Sequence, residues 1–353
     1  MIQIRPFNPG AAKSDEWEAV HVFRRIRREE DTPGEPILDD AEFERATRQM
    51  WPLYEERRWY AWIESEMVGN IGVSFRREGT ADYAVYAPYA YVWCGVRARH
   101  RRLGIATALL RPLLTLMQER NKTIATFETS IPEGHAFFVA IGAVLKHRQI
   151  ENRASFRAMD WAMLARWQNA AVPTEASLRW EVHVSRVPRN RIEALLPQIN
   201  ALEADMPLGE LDSPPVGSEL AAWLAWYDEL DRHGGDHMLV MLVEGDKIAA
   251  FTNTSWDPRF PDRIYQLLTA VARPWRGRGL AKRVKAAMMR LIRDRHPDIQ
   301  FITTSNANLN APMLAINTQL GFTEHRRMAC YQIEFSAIED YLASRPAVSD
   351  EIA

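Results

Sequence analysis

The segment Arg276-Gly-Arg-Gly-Leu-Ala281 sets arginines and glycines at a spacing that suits an anion. Glycines permit a tight turn and close backbone approach, and a helix starting behind the turn points unpaired N–H groups outward. A pyrophosphate there meets backbone donors, a favourable dipole and guanidinium charge. The segment is also one of a pair: Val96-Arg-Ala-Arg-His-Arg-Arg-Leu-Gly-Ile-Ala106 recurs half a chain later as Val271-Ala-Arg-Pro-Trp-Arg-Gly-Arg-Gly-Leu-Ala281. One such hexapeptide fits an ordinary strand-to-helix turn with solvated arginines; two at corresponding positions argue for two copies of one domain.

A turn of this kind needs a strand in front and a helix behind. Residues 89–96 and 264–271 are aromatic and β-branched, as strands require, and each turn leads into an apolar-periodic stretch. Behind the second turn Leu280, Val284, Met288, Leu291 and Ile292 form one stripe that His296-Pro297 stops, whereas Pro112 is expected to kink or shorten the first helix. Each copy later closes with an apolar helix ending at Gly142 or Gly321. Strand pairs are expected at 59–64 with 67–75 and at 238–243 with 247–252. The fold class is therefore mixed α/β, two tandem domains, each a twisted central mixed sheet flanked by helices. The polar, Pro-interrupted stretch 167–177 reads as the linker between domains at 1–166 and 178–353.

The 353 residues carry 44 Lys+Arg against 46 Asp+Glu, with 47% hydrophobic and 25% charged residues, which excludes disordered, collagen-like and disulfide-scaffold classes. A net charge of −2 gives the whole chain no attraction for nucleic acid or an anionic membrane. Cys94 and Cys330 lie far apart with no C-x-x-C spacing, so a reducing compartment is expected, and no metal site. His233-Gly-Gly-Asp-His237 reads as a loop rather than a metal pair, and Arg24-Arg-Ile-Arg-Arg28 as a solvated helix face. Residues 1–7 read as a first strand, not a signal peptide, and no apolar run approaches the roughly 20 residues of a membrane span. A cytoplasmic location is the expectation.

With strand, turn and helix assigned, the residues resemble the GNAT family of acyl-CoA-dependent N-acyltransferases. Its motif Arg/Gln-x-x-Gly-x-Gly/Ala is matched by Arg276, Gly279 and Ala281, and by Arg101, Gly104 and Ala106. Asn306-Ala-Asn-Leu-Asn310 and Asn317-Thr-Gln-Leu-Gly-Phe322 are similar to the family's later segment, and the duplication resembles that of mycothiol synthase. The resemblance implies acetyl-CoA (coenzyme A) held in the second copy by Leu268, Ala270, Val271, Arg276, Gly277, Arg278, Gly279, Leu280, Ala281 and Asn310. In the first copy it implies Val96, Arg101, Arg102, Gly104 and Ala106. The pantetheine arm would run along 268–271, with an N–H near Leu268 polarising the thioester carbonyl.

Aminolysis of a thioester needs a neutral amine and a proton for the departing thiolate. The tyrosine that the family often uses as acid is replaced by Asn317 in the second copy and Phe138 in the first. Asn317 can hydrogen-bond a thiolate but not protonate it; Tyr265 and Tyr331 are substitutes, each also readable as a packed strand residue. For the base, Asp31 to Glu35 and Asp205 to Glu210 echo one another, followed by Asp39-Asp40 and Asp212. Glu210 is the candidate, against a reading as caps and solvated turns. Asn310 would cap the last helix of the second copy, where the first has Ile131. The expected activity is acetyl transfer from acetyl-CoA to a small-molecule primary amine by direct attack, in the C-terminal copy, by a monomer or homodimer. A non-catalytic acyl-CoA-binding protein and a peptidyl N-acetyltransferase are the alternatives. The acceptor region is acidic and rich in tryptophan, at Trp223, Trp226 and Trp256.

Overall fold

The computed structural model describes residues 1–49, 51–80, 82–170, 177–205, 210–212, 217–307 and 310–345. The first half of the chain forms β1 (Ile2–Phe7), α1 (Ser14–Asp31), α2 (Asp40–Arg48), β2 (Tyr54–Ile63), β3 (Glu66–Arg76), α3 (Tyr83–Tyr86), β4 (Tyr89–Val96), α4 (Ile105–Glu119), β5 (Ile124–Thr129), α5 (Pro132–Ala140), β6 (Val144–Ser155) and α6 (Trp161–Asn169). Apart from α3, the second half repeats that order. It forms β7 (Arg179–Val184), α7 (Arg189–Glu203), α8 (Leu220–Arg232), β8 (Asp236–Glu244), β9 (Lys247–Trp256), β10 (Arg263–Val271), α9 (Leu280–Arg295), β11 (Phe301–Ala307), α10 (Ala311–Gln319), β12 (Thr323–Glu334) and α11 (Phe335–Ala343). The expected mixed α/β duplication is what the chain adopts. Most of the expected linker, 171–176, lies outside the described residues. No described helix is long and apolar enough to cross a membrane.

Two compact units result, and they do not follow a simple cut of the sequence. The first comprises Met1–His147, Glu210–Pro214 and Ala329–Ala353; the second comprises Arg148–Gly209 and Pro215–Met328. In the first, strands run in the order β1-β2-β3-β4-β5-β12, and Ala329 to Glu334 of β12 pairs antiparallel with β5. Helix α11 follows and packs on α4, with Thr107 Oγ1 and Tyr341 Oη 3.1 Å apart. In the second, the order is β7-β8-β9-β10-β11-β6, with Gln149 to Ser155 of β6 antiparallel to β11 and α6 packed on α9. Each half of the sequence thus hands its last strand and last helix to the unit built mainly from the other half.

Burial explains why these stretches take these forms. In β8 Met238, Val240 and Leu242 join one apolar cluster with Leu280, Val284, Met288 and Ile292 of α9, while Leu239, Met241 and Val243 join another with Ile192, Leu195 and Ile199 of α7. Alternation of period 2 covered by helices on both faces makes the strand apolar throughout. Helix α4 does not break at Pro112. It runs 15 residues through it, because Leu109, Leu110, Leu113 and Met117 are all fully buried and their packing offsets the roughly 3 kcal/mol of an interior proline.

The exchange fixes which unit a substitution weakens. Ile338 of α11 is wholly buried in the cluster that contains Leu109, Leu113 and Phe127. Ile338→Ala is expected to cost about 2–5 kcal/mol. Amide exchange should rise at 124–127 and 105–117 of the first unit while 280–292 keeps its protection.

Candidate active site

Both glycine-arginine turns take the expected form. A short 3₁₀ turn, Ala98–His100 in one unit and Arg273–Trp275 in the other, precedes a helix whose N-cap is a left-handed glycine, Gly104 (φ 81°) or Gly279 (φ 76°). Neither N-cap offers a side-chain acceptor, so the first-turn N–H groups of α4 and α9 are left for solvent or an anion. A second left-handed residue sits two positions earlier: Gly277 at φ 77° and, at the same place in the first unit, Arg102 at φ 65°. A Cβ at Gly277 or Gly279 would meet no atom within 4 Å, so glycine is favoured there by conformation rather than by space, and the space over the turn is open.

The leading arginines do not lie free around that space. Arg276 Nε donates to Val271 O at 3.0 Å and its Nη2 reaches Asp205 Oδ2 at 2.8 Å; Arg101 Nε donates to Val96 O at 3.2 Å and its Nη2 to Asp31 Oδ1 at 3.1 Å. Each is a strap between strand end, turn and first helix of its unit. Arg278 donates to Pro274 O at 3.0 Å and lies over the Trp275 ring.

In the second unit β10 pairs in parallel with β11 only from Arg263 to Gln266. Beyond that point Thr269, Ala270 and Val271 pair, among the described residues, with β9 alone. At the parting a bulge sets two residues, Leu267 and Leu268, opposite one, Asn253. Asn253 Oδ1 accepts the Leu268 N–H at 2.9 Å and Gln266 Nε2 donates to Asn253 O at 2.8 Å, so two carboxamides replace the missing ladder bonds. In the first unit the parallel pairing of β4 with β5 likewise ends, at Val92 with Phe127, but β3 and β4 stay in regular register. Trp93 there faces Gly72, whose absent Cβ would come within 2.1 Å of the indole.

A model of the acetyltransferase (GNAT) family matches residues 20–139 and again 200–322, more than half of the chain. The chain belongs to the GNAT acetyltransferase family. No curated protein matches its sequence significantly. A tandem GNAT protein from the clavulanic acid biosynthesis pathway, solved without AcCoA, superposes with a TM-score of 0.70 at 20% identity, covering 95% of this chain and 99% of that one. A GCN5-related N-acetyltransferase from Sphaerobacter thermophilus gives 0.61 at 15% identity over 95% and 96%. At these identities the likeness is one of fold.

Against the GNAT frame, several sequence expectations need correction. The Leu268 N–H, expected to polarise a thioester carbonyl, is committed to Asn253. Glu210 belongs to the first unit, where its N–H donates to Lys146 O at 3.0 Å, while Tyr265, Asn310 and Asn317 belong to the second. Asp212 is also in the first unit: Gln332 Oε1 accepts its N–H at 2.9 Å, Gln332 Nε2 donates to its carbonyl at 3.0 Å, and Tyr89 donates to its carboxylate at 3.2 Å. Asp39 caps α2, Asp40 pairs with Arg24 at 2.6 Å, and Asp31 and Asp205 are straps. Hydrogen bonds from Arg273 and Arg276 hold the Asp205 carboxyl below its usual range. Tyr331 also falls in the first unit, 2.9 Å from His135 Nδ1. Arg24 and Arg27 are not a solvated face: Arg27 Nη1 donates to Val96 O at 2.9 Å and pairs with Asp31. His233 contacts Glu229 at 3.1 Å and His237 contacts Tyr227 at 2.9 Å, so the two histidines turn to different partners. Trp256 stacks on His296 at 4.5 Å.

Asn310 caps α10 through Met313, as expected, and Asn317 is buried in that helix; Asn308 and Leu309 between cap and strand lie outside the described residues. Burial raises the Tyr265 phenol, which therefore stays protonated near neutrality. Two groups escaped the sequence reading. Glu203, in the last turn of α7, has its carboxyl pushed up to about 7 by burial. Lys285 of α9 is 1% exposed, with no ion-pair or hydrogen-bond partner among the described residues, and desolvation pulls its amine down to about 7. The signal for Lys285 was available, since the corresponding residue of the first copy is the buried Leu110.

Two measurements test these assignments. Ala at Gly277 must adopt a left-handed φ, so Gly277→Ala is expected to lower stability by about 1–2 kcal/mol in denaturant unfolding, whereas Arg102→Gly should cost nothing. Because the folded-state pKa of Lys285 lies below its unfolded value, the unfolded chain binds the extra proton between pH 7 and about 10.4, and stability rises with pH across that window. Lys285→Leu should therefore stabilise by about 3–5 kcal/mol at pH 7 and progressively less towards pH 10.

Proposed function

We propose that the protein transfers an acetyl group from acetyl-CoA to a primary amine and that the second unit carries the chemistry. The observation that supports this most strongly is the contrast between the duplicates. The second unit combines a bulge, a strand edge left open beyond Gln266 and a two-glycine turn before an uncapped helix, whereas the first keeps a regular ladder with Trp93 lying over Gly72. The residues fit the donor: the N–H groups at Gly277, Gly279, Leu280 and Ala281 would hold the pyrophosphate, and the strand edge at Ala270 and Val271 the pantetheine amides. When bound, acetyl-CoA supplies an activated acyl carbon and a thiolate leaving group.

The chain's own part is to take a proton from the amine and return one to sulfur. Glu203 suits the first role better than Glu210. It ends the helix whose Leu202 packs in one cluster with Leu268 and Ala270, and Asp205, two residues on, ties that helix end to Arg276 and the turn. A base whose pKa lies near the working pH combines a useful deprotonated fraction with enough basicity. Tyr265, in the paired part of β10 just before the parting, is protonated at neutral pH and suits the second role. The acceptor would be a small cationic amine.

Titration calorimetry with acetyl-CoA tests the donor, and release of CoA thiol across a panel of amines tests transfer. One binding site per chain, lost in Gly279→Trp and retained in Gly104→Trp, is the expected result. With a cognate amine, kcat/KM should rise with pH through about 7 as Glu203 loses its proton. In Glu203→Gln that limb should vanish and turnover fall by about 10²-fold or more.

A further inference from the structure

The bulge in β10 is held from behind by a line of buried polar groups that leads away from the turn. Its hydrogens can be placed from one obligate donor. Leu268 N–H donates to Asn253 Oδ1 at 2.9 Å, so the Asn253 amide nitrogen faces His237 Nε2, 3.5 Å away. Nε2 must then accept, which puts the ring proton on Nδ1, where it donates to Tyr227 Oη at 2.9 Å. The same oxygen accepts Val187 N–H at 3.3 Å. Burial pulls His237 down to about 3, so the neutral ring that this pattern needs persists across the physiological range. Trp223 and Trp226 pack edge-on against the imidazole and fix its plane.

The first unit serves as an internal control. Opposite its β4 strand stands Gly72, which has no side chain to brace a bulge and lies under the Trp93 indole, and the β3–β4 ladder there has no bulge. A bulge on a strand edge is otherwise free to slide or straighten, because its extra residue has no ladder partner. Here Asn253 satisfies the stranded N–H from one face and Gln266 the stranded carbonyl from the other.

We propose that Asn253 is a positioning residue, braced by His237 and Tyr227, that sets the β10 backbone where the acyl group of the donor lies. The inference rests on the reading of the second unit as the acetyl-CoA site. Its test needs no acceptor: difference infrared spectroscopy of acetyl-CoA labelled with carbon-13 at the acyl carbonyl, beside calorimetry with acetyl-CoA and with CoA. In the unaltered protein the carbonyl band should narrow and move away from its solution position on binding, as for an acyl group held in one fixed environment, and acetyl-CoA should bind tighter than CoA.

In Asn253→Ala the band should return towards its solution position and the preference for acetyl-CoA should fall about fivefold, with CoA affinity within about twofold of the original. Tyr227→Phe keeps the aromatic packing and removes only the brace, so it should move the band part of the way while a thermal melt shows the fold intact. A band unchanged in both variants would overturn the positioning role, even with stability lost. No binding of acetyl-CoA by the unaltered protein would instead remove the proposed function, and this inference with it.

Discussion

In each unit one guanidinium joins three elements that diverge from one another. Arg276 closes the end of β10 through Val271 O, anchors the turn that starts α9, and reaches Asp205 just past α7; Arg101 makes the same set of bonds to Val96 O and Asp31. A glycine-rich turn alone has many conformations to lose on folding. The strap removes that freedom before any anion arrives, and the uncapped N–H groups of the helix are held ready. Its cost is that the arginine's own charge is already paired with a carboxylate of the same chain. The donors that the turn presents outward are then backbone N–H groups, whose direction is set by the conformation at 277 and 279.

The duplicates show which parts of such a site can drift. Strap, 3₁₀ turn and left-handed N-cap persist in both, because each supports the packing of strand against helix. Arg102 keeps the left-handed conformation that Gly277 adopts at no strain, so the first turn retains its shape under a small penalty. The bulge in the strand before the turn, the two carboxamides that hold it and the buried Lys285 have no counterpart at the matching described positions of the first unit. Leu110 stands for Lys285 in the first, and a buried amine whose charge is disfavoured by desolvation weakens the core that contains it. Lys285 weakens one copy and has no counterpart at the matching position of the other, so packing alone does not account for it.

The turns were legible in the sequence because an anion cradle is local: its glycines, arginines and helix start lie within one repeat. The strand and helix order was legible for the same reason, through period-2 and period-3.6 patterns. The bulge was not, since one extra residue beside Leu267 is absorbed without trace when two apolar strands are laid side by side. The carboxylates misled because their partners are remote: Asp205 finds Arg273 and Arg276, and Asp212 finds Tyr89 and Gln332, through folding alone. The exchange of β6 and β12 left no mark either, because both halves end in the same strand and helix and the pattern fits either partner.

That exchange carries a consequence for how the chain emerges during synthesis. The strand that completes the first sheet beside β5, and the helix that covers α4, leave the ribosome roughly 200 residues after β5 itself. At about 5–20 residues per second, the apolar faces of Leu109, Leu113 and Phe127 wait some ten seconds or more for Ile333, Ile338 and Leu342. Over that interval the nascent first unit has an open sheet edge, the feature most prone to pairing with another chain. A protein built this way depends on a segment of its second half to finish folding its first.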